Sequence, residues 1–282
     1  MALLKMQLHG GRTRKYLNTI LIWPIVLLIA FPLYWMLVSS VKTEREVLAQ
    51  PPTFWPEDFT LENFDALRGL NFGTWFFNSV VVAAATVGVV LVLATLASYS
   101  LVRCKYPGRS VVSVSMLLAY LFPQVLMLVP LFLVISSLGL NDTYMALILA
   151  NVTFSLPLAL WLLRSQFEAV PRELEEAASV DGASWLLTFT RIFLPQVLPG
   201  ILSTAIITFI LAWNNYLFAL VFVSSADLKT LPVGIATYSN ELNTQWGPLM
   251  ASCVAVSVPV LVVMTLLQRQ FMRGASSGGL KG

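Results

Sequence analysis

The sequence predicts an all-α integral membrane protein with six transmembrane helices, and three observations carry that prediction. Mean hydropathy is +0.79 and only 11% of the 282 residues are charged, against about a quarter in soluble domains. Six windows hold no Asp, Glu, Lys or Arg: 16–41, 69–102, 110–141, 143–163, 192–226 and 242–268. Each exceeds the roughly 20 apolar residues that cross about 30 Å of hydrocarbon as a helix. The windows lack the polar and apolar alternation of barrel strands, and backbone groups in lipid must be satisfied within their own segment, so helices are the expected form.

Trimmed to their apolar cores, the spans are expected at about 16–41, 73–102, 110–136, 143–164, 197–223 and 248–269, within one transmembrane domain of 16–272. Short tails, 1–15 and 273–282, flank it. The first window is longer than the 7 to 15 residues of a signal core and no A-x-A site follows it, so it is expected to remain as a span. The loop at 42–72 carries PPTFWPEDFTLENFDAL, whose prolines suggest an ordered turn before a short helix at 61–67. Its six acids and three bases fit a solvated surface. Pro24, Pro32, Pro123, Pro130, Pro157 and Pro259 fall inside windows and are expected to bend the helices around a cavity.

Lys and Arg distribution sets the orientation. With the N-terminus inside, 13 of the 17 basic residues fall in inner segments and only Lys42, Arg45, Arg68 and Lys229 fall outside. Both termini are then cytoplasmic, and the net charge of +3 is a topology signal rather than a nucleic-acid footprint. Cys104 and Cys253 fall at opposite ends of the spans and cannot pair.

The composition excludes much chemistry. The only histidine, His9, lies in the inner tail, and no acid occurs in any window. A Ser/His pair, a metal cluster or an aspartyl dyad is therefore unavailable at membrane depth, so neither a catalytic site nor a metal site is expected. The same absence argues against a proton-driven carrier. There is no G-x-x-x-x-G-K-[ST] loop, so the chain is not expected to bind or hydrolyse ATP itself.

The segment 165–196 stands apart, with EEAASVDGASWLLTFTRIFLPQVLPG beginning at Glu175. Pro171 suits a first helical turn, and Glu173, Glu175 and Glu176 suit its dipole. Gly182 permits a sharp turn, after which Ala183 to Phe193 can form a second short helix ending at Pro195. The small-residue face fits a partner's cleft. The segment also fits an amphipathic helix lying on the membrane surface.

Position by position, Glu176, Ala177, Ala178, Asp181, Gly182, Ala183, Ile192, Leu194 and Pro195 match E-A-A-x-x-D-G-A followed by I-x-L-P. This resembles the EAA signature of importer-type ABC transporter permeases. NSVVVAAATVGVVLVLATLASYSLVRCKYPGR, ILAWNNYLFALVF, TLPVGIATY and QRQFMRGASSGGLKG resemble the six-span subunit of the maltose-transporter branch. The tail GASSGGLKG departs mildly from the more usual GLTSGAVKG. The resemblance implies the type I importer permease fold. It implies that 172–187 is a coupling helix docking on a separate ATPase, with Glu176 pairing with a basic group and Ala177 and Ala178 allowing close approach.

It also implies the partners: a second permease, two ATPase copies that bind ATP and Mg, and an extracytoplasmic binding protein meeting loops 42–72 and 224–247, all in the cytoplasmic membrane. The expected cargo is a carbohydrate; glycerol-3-phosphate, a charged oligosaccharide, or a scaffold role without transport are alternatives. Candidate pathway residues are Gln124, Asn151, Thr153, Ser155, Trp213, Asn214, Asn215 and Tyr216, since amides serve sugar hydroxyls while rings stack on apolar sugar faces.

Overall fold

The computed structural model describes residues 22–240 and 245–279, except for the side chains of 238–240 and 267–279. The tail 1–15, the start of the first span and residues 280–282 lie outside the described residues. The helices are α1 Ile22–Ser40, α2 Glu44–Val47, α3 Glu62–Gly69, α4 Phe72–Arg103, α5 Arg109–Leu121, α6 Gln124–Ser137 and α7 Tyr144–Glu168. They continue with α8 Glu173–Val180, α9 Trp185–Leu187, α10 Leu194–Trp213, α11 Leu217–Phe222, α12 Leu231–Asn240 and α13 Trp246–Gly279. A π-helical turn, Thr188–Phe193, joins α9 to α10. Among the described residues, five helices are long and apolar enough to cross a membrane alone, and the bent pair α5 and α6 passes the same test when taken together, which brings the number to six if the pair is one span.

The chain divides into two compact units. In the first, which holds residues up to Gly69 and the start of α13, the side chains of α1 are largely exposed, as lipid contact requires. Lys42 is buried rather than solvated: its Nζ bonds Thr53 Oγ1 at 2.7 Å, sits 3.7 Å from Glu46 and lies over the Trp35 ring. Glu46, also buried, accepts from Thr53 and from the N–H groups of Glu57 and Asp58. Part of the charge in loop 42–72 thus builds the loop and does not coat it. Asn63 on α3 donates to the Ser40 and Lys42 carbonyls at 3.0 and 2.7 Å. Glu44 caps the start of α13 through the N–H groups of Trp246 and Gly247, both at 2.9 Å.

In the second unit, α4 packs along α7, α10 lies against both, and α5 packs on α7. Ala83 and Ala94 of α4 and Ala146 and Ala150 of α7 are completely buried. Small residues at these positions let backbones approach, which is how helices gain packing energy where lipid offers no hydrophobic drive.

Two expectations need correction. The third window, expected as one span at 110–136, is two helices meeting at 106°. Pro123 has no N–H to return to Ala119 and pushes Phe122 into an extended conformation (ψ 131°), so the helix must stop and restart. The second short helix expected at 183–193 is not separate and does not end at Pro195. It runs through the π turn into α10, so that Trp185–Trp213 is one apolar span. Leu194 N–H reaches back five residues to Phe189 O, and this wider turn receives Pro195 in the first turn of α10, where its missing donor costs little. The fifth span also breaks, at Asn214–Tyr216, before α11.

Candidate functional site

The first site is the α8 hairpin. Glu173, Glu175 and Glu176 occupy the first turn of α8, favoured by the helix dipole. Gly182, at φ +78°, closes the helix: its N–H donates to Ser179 O at 3.1 Å and Ala183 N–H to Ala178 O at 2.9 Å. This pair of bonds is a Schellman cap, which requires a left-handed residue at that point. Ser184 then caps α9 by accepting from Leu187 N–H at 3.4 Å.

The two neighbouring glutamates diverge. Glu175 turns inward: its Oε1 receives Arg103 Nε at 2.5 Å and its Oε2 receives the Tyr99 hydroxyl at 3.1 Å. The two charged side chains are 9% and 18% exposed. Arg103 also donates to Val170 O at 2.7 Å and stacks over the Phe193 ring at 5.1 Å. Tyr99 meets Phe189 and Phe193 edge-on at 4.9 and 5.0 Å. The end of α4, the chain entering α8 and the π turn are thereby fixed to one another. Ala178 shares the inward face and is buried, so it is not available for the close docking expected of it, whereas Ala177 is exposed.

Glu176, Ala177 and Asp181 are exposed, together with Val180 at 87%. At 100° per residue, Glu173, Glu176, Ala177, Val180 and Asp181 share one arc of roughly 140°. Ala183 and Leu194 are partly buried and Pro195 is exposed. The hairpin is thus a rigid projection with a small, acidic and apolar outer face, held at its root by an ion pair.

The second site is a cavity of about 340 Å³ where both broken spans meet α7. Gln124, the first residue of α6, lines it, together with Ser155 of α7 and Asn214, Asn215 and Tyr216 from the break after α10. Five of the eight side chains expected on a substrate path therefore converge. Gln124 Nε2 is buried and has no hydrogen-bond partner among the described residues, a state that costs roughly 1–3 kcal/mol unless something accepts from it. The lining contains amides, a hydroxyl and rings and no Asp, Glu, Lys or Arg.

Asn151 and Trp213 lie elsewhere. Asn151 is buried and donates to Leu147 O at 2.8 Å, while the fully buried Trp213 donates Nε1–H to Val256 O at 3.2 Å. Both serve packing. Thr153 returns its hydroxyl to Leu149 O.

Sequence reasoning missed Tyr99, Arg103 and Asn78, and it placed Glu175 in the helix's first turn without its inward pairing. Asn78 donates to the Asp227 and Lys229 carbonyls, both at 2.8 Å, and accepts from Tyr144 at 2.5 Å. With Ser79, which accepts from Leu231 N–H at 2.9 Å, it pins the loop after α11 onto α4. Its signal, an amide in an apolar window, was present in the sequence.

Residues 92–277 match the family described as "Binding-protein-dependent transport system inner membrane component". The Escherichia coli inner membrane ABC transporter permease protein YcjP is 38% identical over 255 residues, 89% of this chain and 91% of that protein. The trehalose/maltose transport system permease protein MalG of Thermococcus litoralis is 35% identical, covering 89% and 91%. Among solved structures, a bacterial ABC transporter importing the acidic polysaccharide alginate aligns with TM-score 0.79 at 21% identity, over 93% of this chain and 98% of that one. The alginate transporter in complex with an alginate pentasaccharide-bound periplasmic protein aligns at 0.67 and 16% identity, over 93% and 96%.

Proposed function

Because the chain belongs to the family of binding-protein-dependent transport inner membrane components, we propose that it is the permease subunit of an ATP-driven importer that carries a neutral oligosaccharide. One observation carries the substrate class: the cavity at the two helix breaks, where Gln124, Ser155, Asn214, Asn215 and Tyr216 converge without a charged side chain. Polyols need many amide and hydroxyl partners and a ring to stack on, and discontinuous membrane helices commonly frame such sites. The carbohydrate systems among its relatives, trehalose/maltose and diacetylchitobiose uptake, support the same class.

ATP hydrolysis belongs to a separate subunit carrying ATP and Mg, present in two copies; a second homologous permease completes the pore, and an extracytoplasmic binding protein delivers cargo. Both termini and the α8 hairpin lie in the cytoplasm. Glu176, Ala177, Val180 and Asp181 face the ATPase groove, with Glu176 meeting a basic group there. Movement of the ATPase pair is then transmitted through the Glu175–Arg103 root to α4. ATP drives the cycle only to the extent that the ATPase pair binds one permease conformation better than another.

The test is co-purification from native membrane in mild detergent, with mass spectrometry and ligand screening of the recovered binding protein. Recovery of an ATPase, a second permease and a binding protein that takes neutral sugars supports the reading. A chain recovered alone, or with a binding protein selective for charged ligands, overturns it.

A further inference from the structure

A second cavity, of about 280 Å³, opens where α4 ends, α5 begins and α7 ends, beside the approach to α8. Its polar lining includes Arg103, Arg109, Ser113, Arg164, Glu168 and Arg172. Four guanidiniums face one carboxylate in that lining. Counting Glu175, the partner of Arg103, still leaves positive charge in excess. Like charges gathered in a partly enclosed space repel, and a bound anion relieves that repulsion.

The arginines are held but not used up. Arg164 bonds Glu168 at 2.8 Å and Ser113, Arg109 donates to Cys104 O at 3.3 Å, and Arg172 donates to Val102 O at 3.1 Å. A guanidinium carries five donors in a fixed fork, so each keeps donors beyond these described contacts, in the geometry that grips phosphate oxygens. The positive end of the 13-residue α5 faces the same mouth, with Gly108 at φ +85° as its cap.

The surroundings choose between a dissolved anion and an amphiphile. Ser110 also lines the cavity. One and two turns along the same stripe of α5, Val114 and Leu118 are 56% and 61% exposed. The cavity lies at the ends of α4 and α7, helices long enough to cross the membrane, hence at headgroup depth, and Ser110 at its edge begins the exposed stripe that Val114 and Leu118 continue along α5. We infer that this cavity binds the phosphate headgroup of an anionic phospholipid, whose acyl chains follow the Ser110, Val114 and Leu118 stripe. Arg103 and Arg172 also tie the chain before α8 to the end of α4, so the bound lipid braces the root of the hairpin.

The experiment is native mass spectrometry of the full chain with its co-purifying subunits, comparing retention of phosphatidylglycerol and phosphatidylcholine, with inorganic phosphate as competitor. The expected result is one tightly retained phosphatidylglycerol, preferred over phosphatidylcholine, that excess inorganic phosphate does not strip. Arg109→Gln with Arg164→Gln should weaken retention about tenfold, as loss of charge-assisted contacts implies. Should the double variant fail to fold, Arg109→Gln alone, at an exposed residue, still lowers retention several-fold. Equal retention of the two lipids, retention unchanged in the variants, or displacement by inorganic phosphate each overturns the assignment, the last in favour of a soluble anion site.

Discussion

Arg103 and Glu175, 72 positions apart in sequence, meet at 2.5 Å and join the end of α4 to the first turn of α8. The pair is mostly withdrawn from solvent and backed by Tyr99, so it differs from an exposed ion pair, whose contribution is about 0–1 kcal/mol. Glu175→Gln should lower stability by about 1.5–3 kcal/mol, the usual scale for a hydrogen bond to a charged group. Thermal unfolding of the purified protein measures this. ATP-driven uptake should fall further than stability alone explains, while Glu176→Gln should leave the unfolding temperature unchanged.

Gly182 has a positive φ of 78°, and a Cβ placed there would meet no atom within 4 Å. The penalty for a side chain is therefore conformational, about 1 kcal/mol, and not a clash. Gly182→Leu should insert and fold but couple ATP hydrolysis poorly to uptake, and Gly182→Asn should be milder because Asn tolerates left-handed backbone. Normal transport by the Leu variant would sink the lever role of this turn.

Asp142 accepts from Ser225 Oγ and from the N–H groups of Ser225 and Ser224, and these bonds hold its carboxyl below its usual value of 3.8. A depressed carboxylate contributes stability that is fully present above the unfolded value and is lost as pH falls through the folded one. Asp142→Asn keeps an acceptor and tolerates φ 57° but cannot titrate. Unfolding temperatures followed from about pH 6 to about pH 3 should drop more steeply in the wild type than in this variant. Glu46 is depressed as well: burial opposes the shift, but hydrogen bonds from Thr53, Glu57 and Asp58 and the Lys42 charge outweigh it, so some slope should remain.

Cys104 is exposed just past the end of α4, on the side given to the cytoplasm by the Lys and Arg count. A membrane-impermeant thiol reagent should label it in inside-out vesicles and not in intact cells. Labelling of Cys104 in intact cells, read in a Cys253→Ser background so that Cys104 is the labelled thiol, would reverse the orientation.

Much of this was legible in the sequence because lipid imposes simple rules. Charge-free windows marked the spans, and Gly182 marked the hairpin turn. What was hidden depended on pairing across sequence distance. Nothing local says that Glu175 turns inward while Glu176 stays outside, although Glu175 and Ala178 share a helical face three residues apart. Pro123 showed that a bend was due but not that it would reach 106°. Gln124 and Asn214 were singled out as polar groups in apolar spans, yet Asn151 and Trp213 were singled out beside them as an amide and a ring, and only the fold separates residues at helix breaks from residues in the packing.

On the function proposed, sugar passes through the cavity at the two breaks and ATP hydrolysis elsewhere drives it. The most direct test is uptake of a neutral labelled oligosaccharide per ATP hydrolysed in proteoliposomes holding the complete transporter, with wild type and Gln124→Leu compared. The wild type should accumulate sugar only with ATP. The variant should lose most uptake, while retaining hydrolysis and an unfolding temperature no lower than wild type, since an unpartnered buried amide has been removed. No ATP-dependent accumulation in the wild type, or equal uptake by both proteins, would contradict the account.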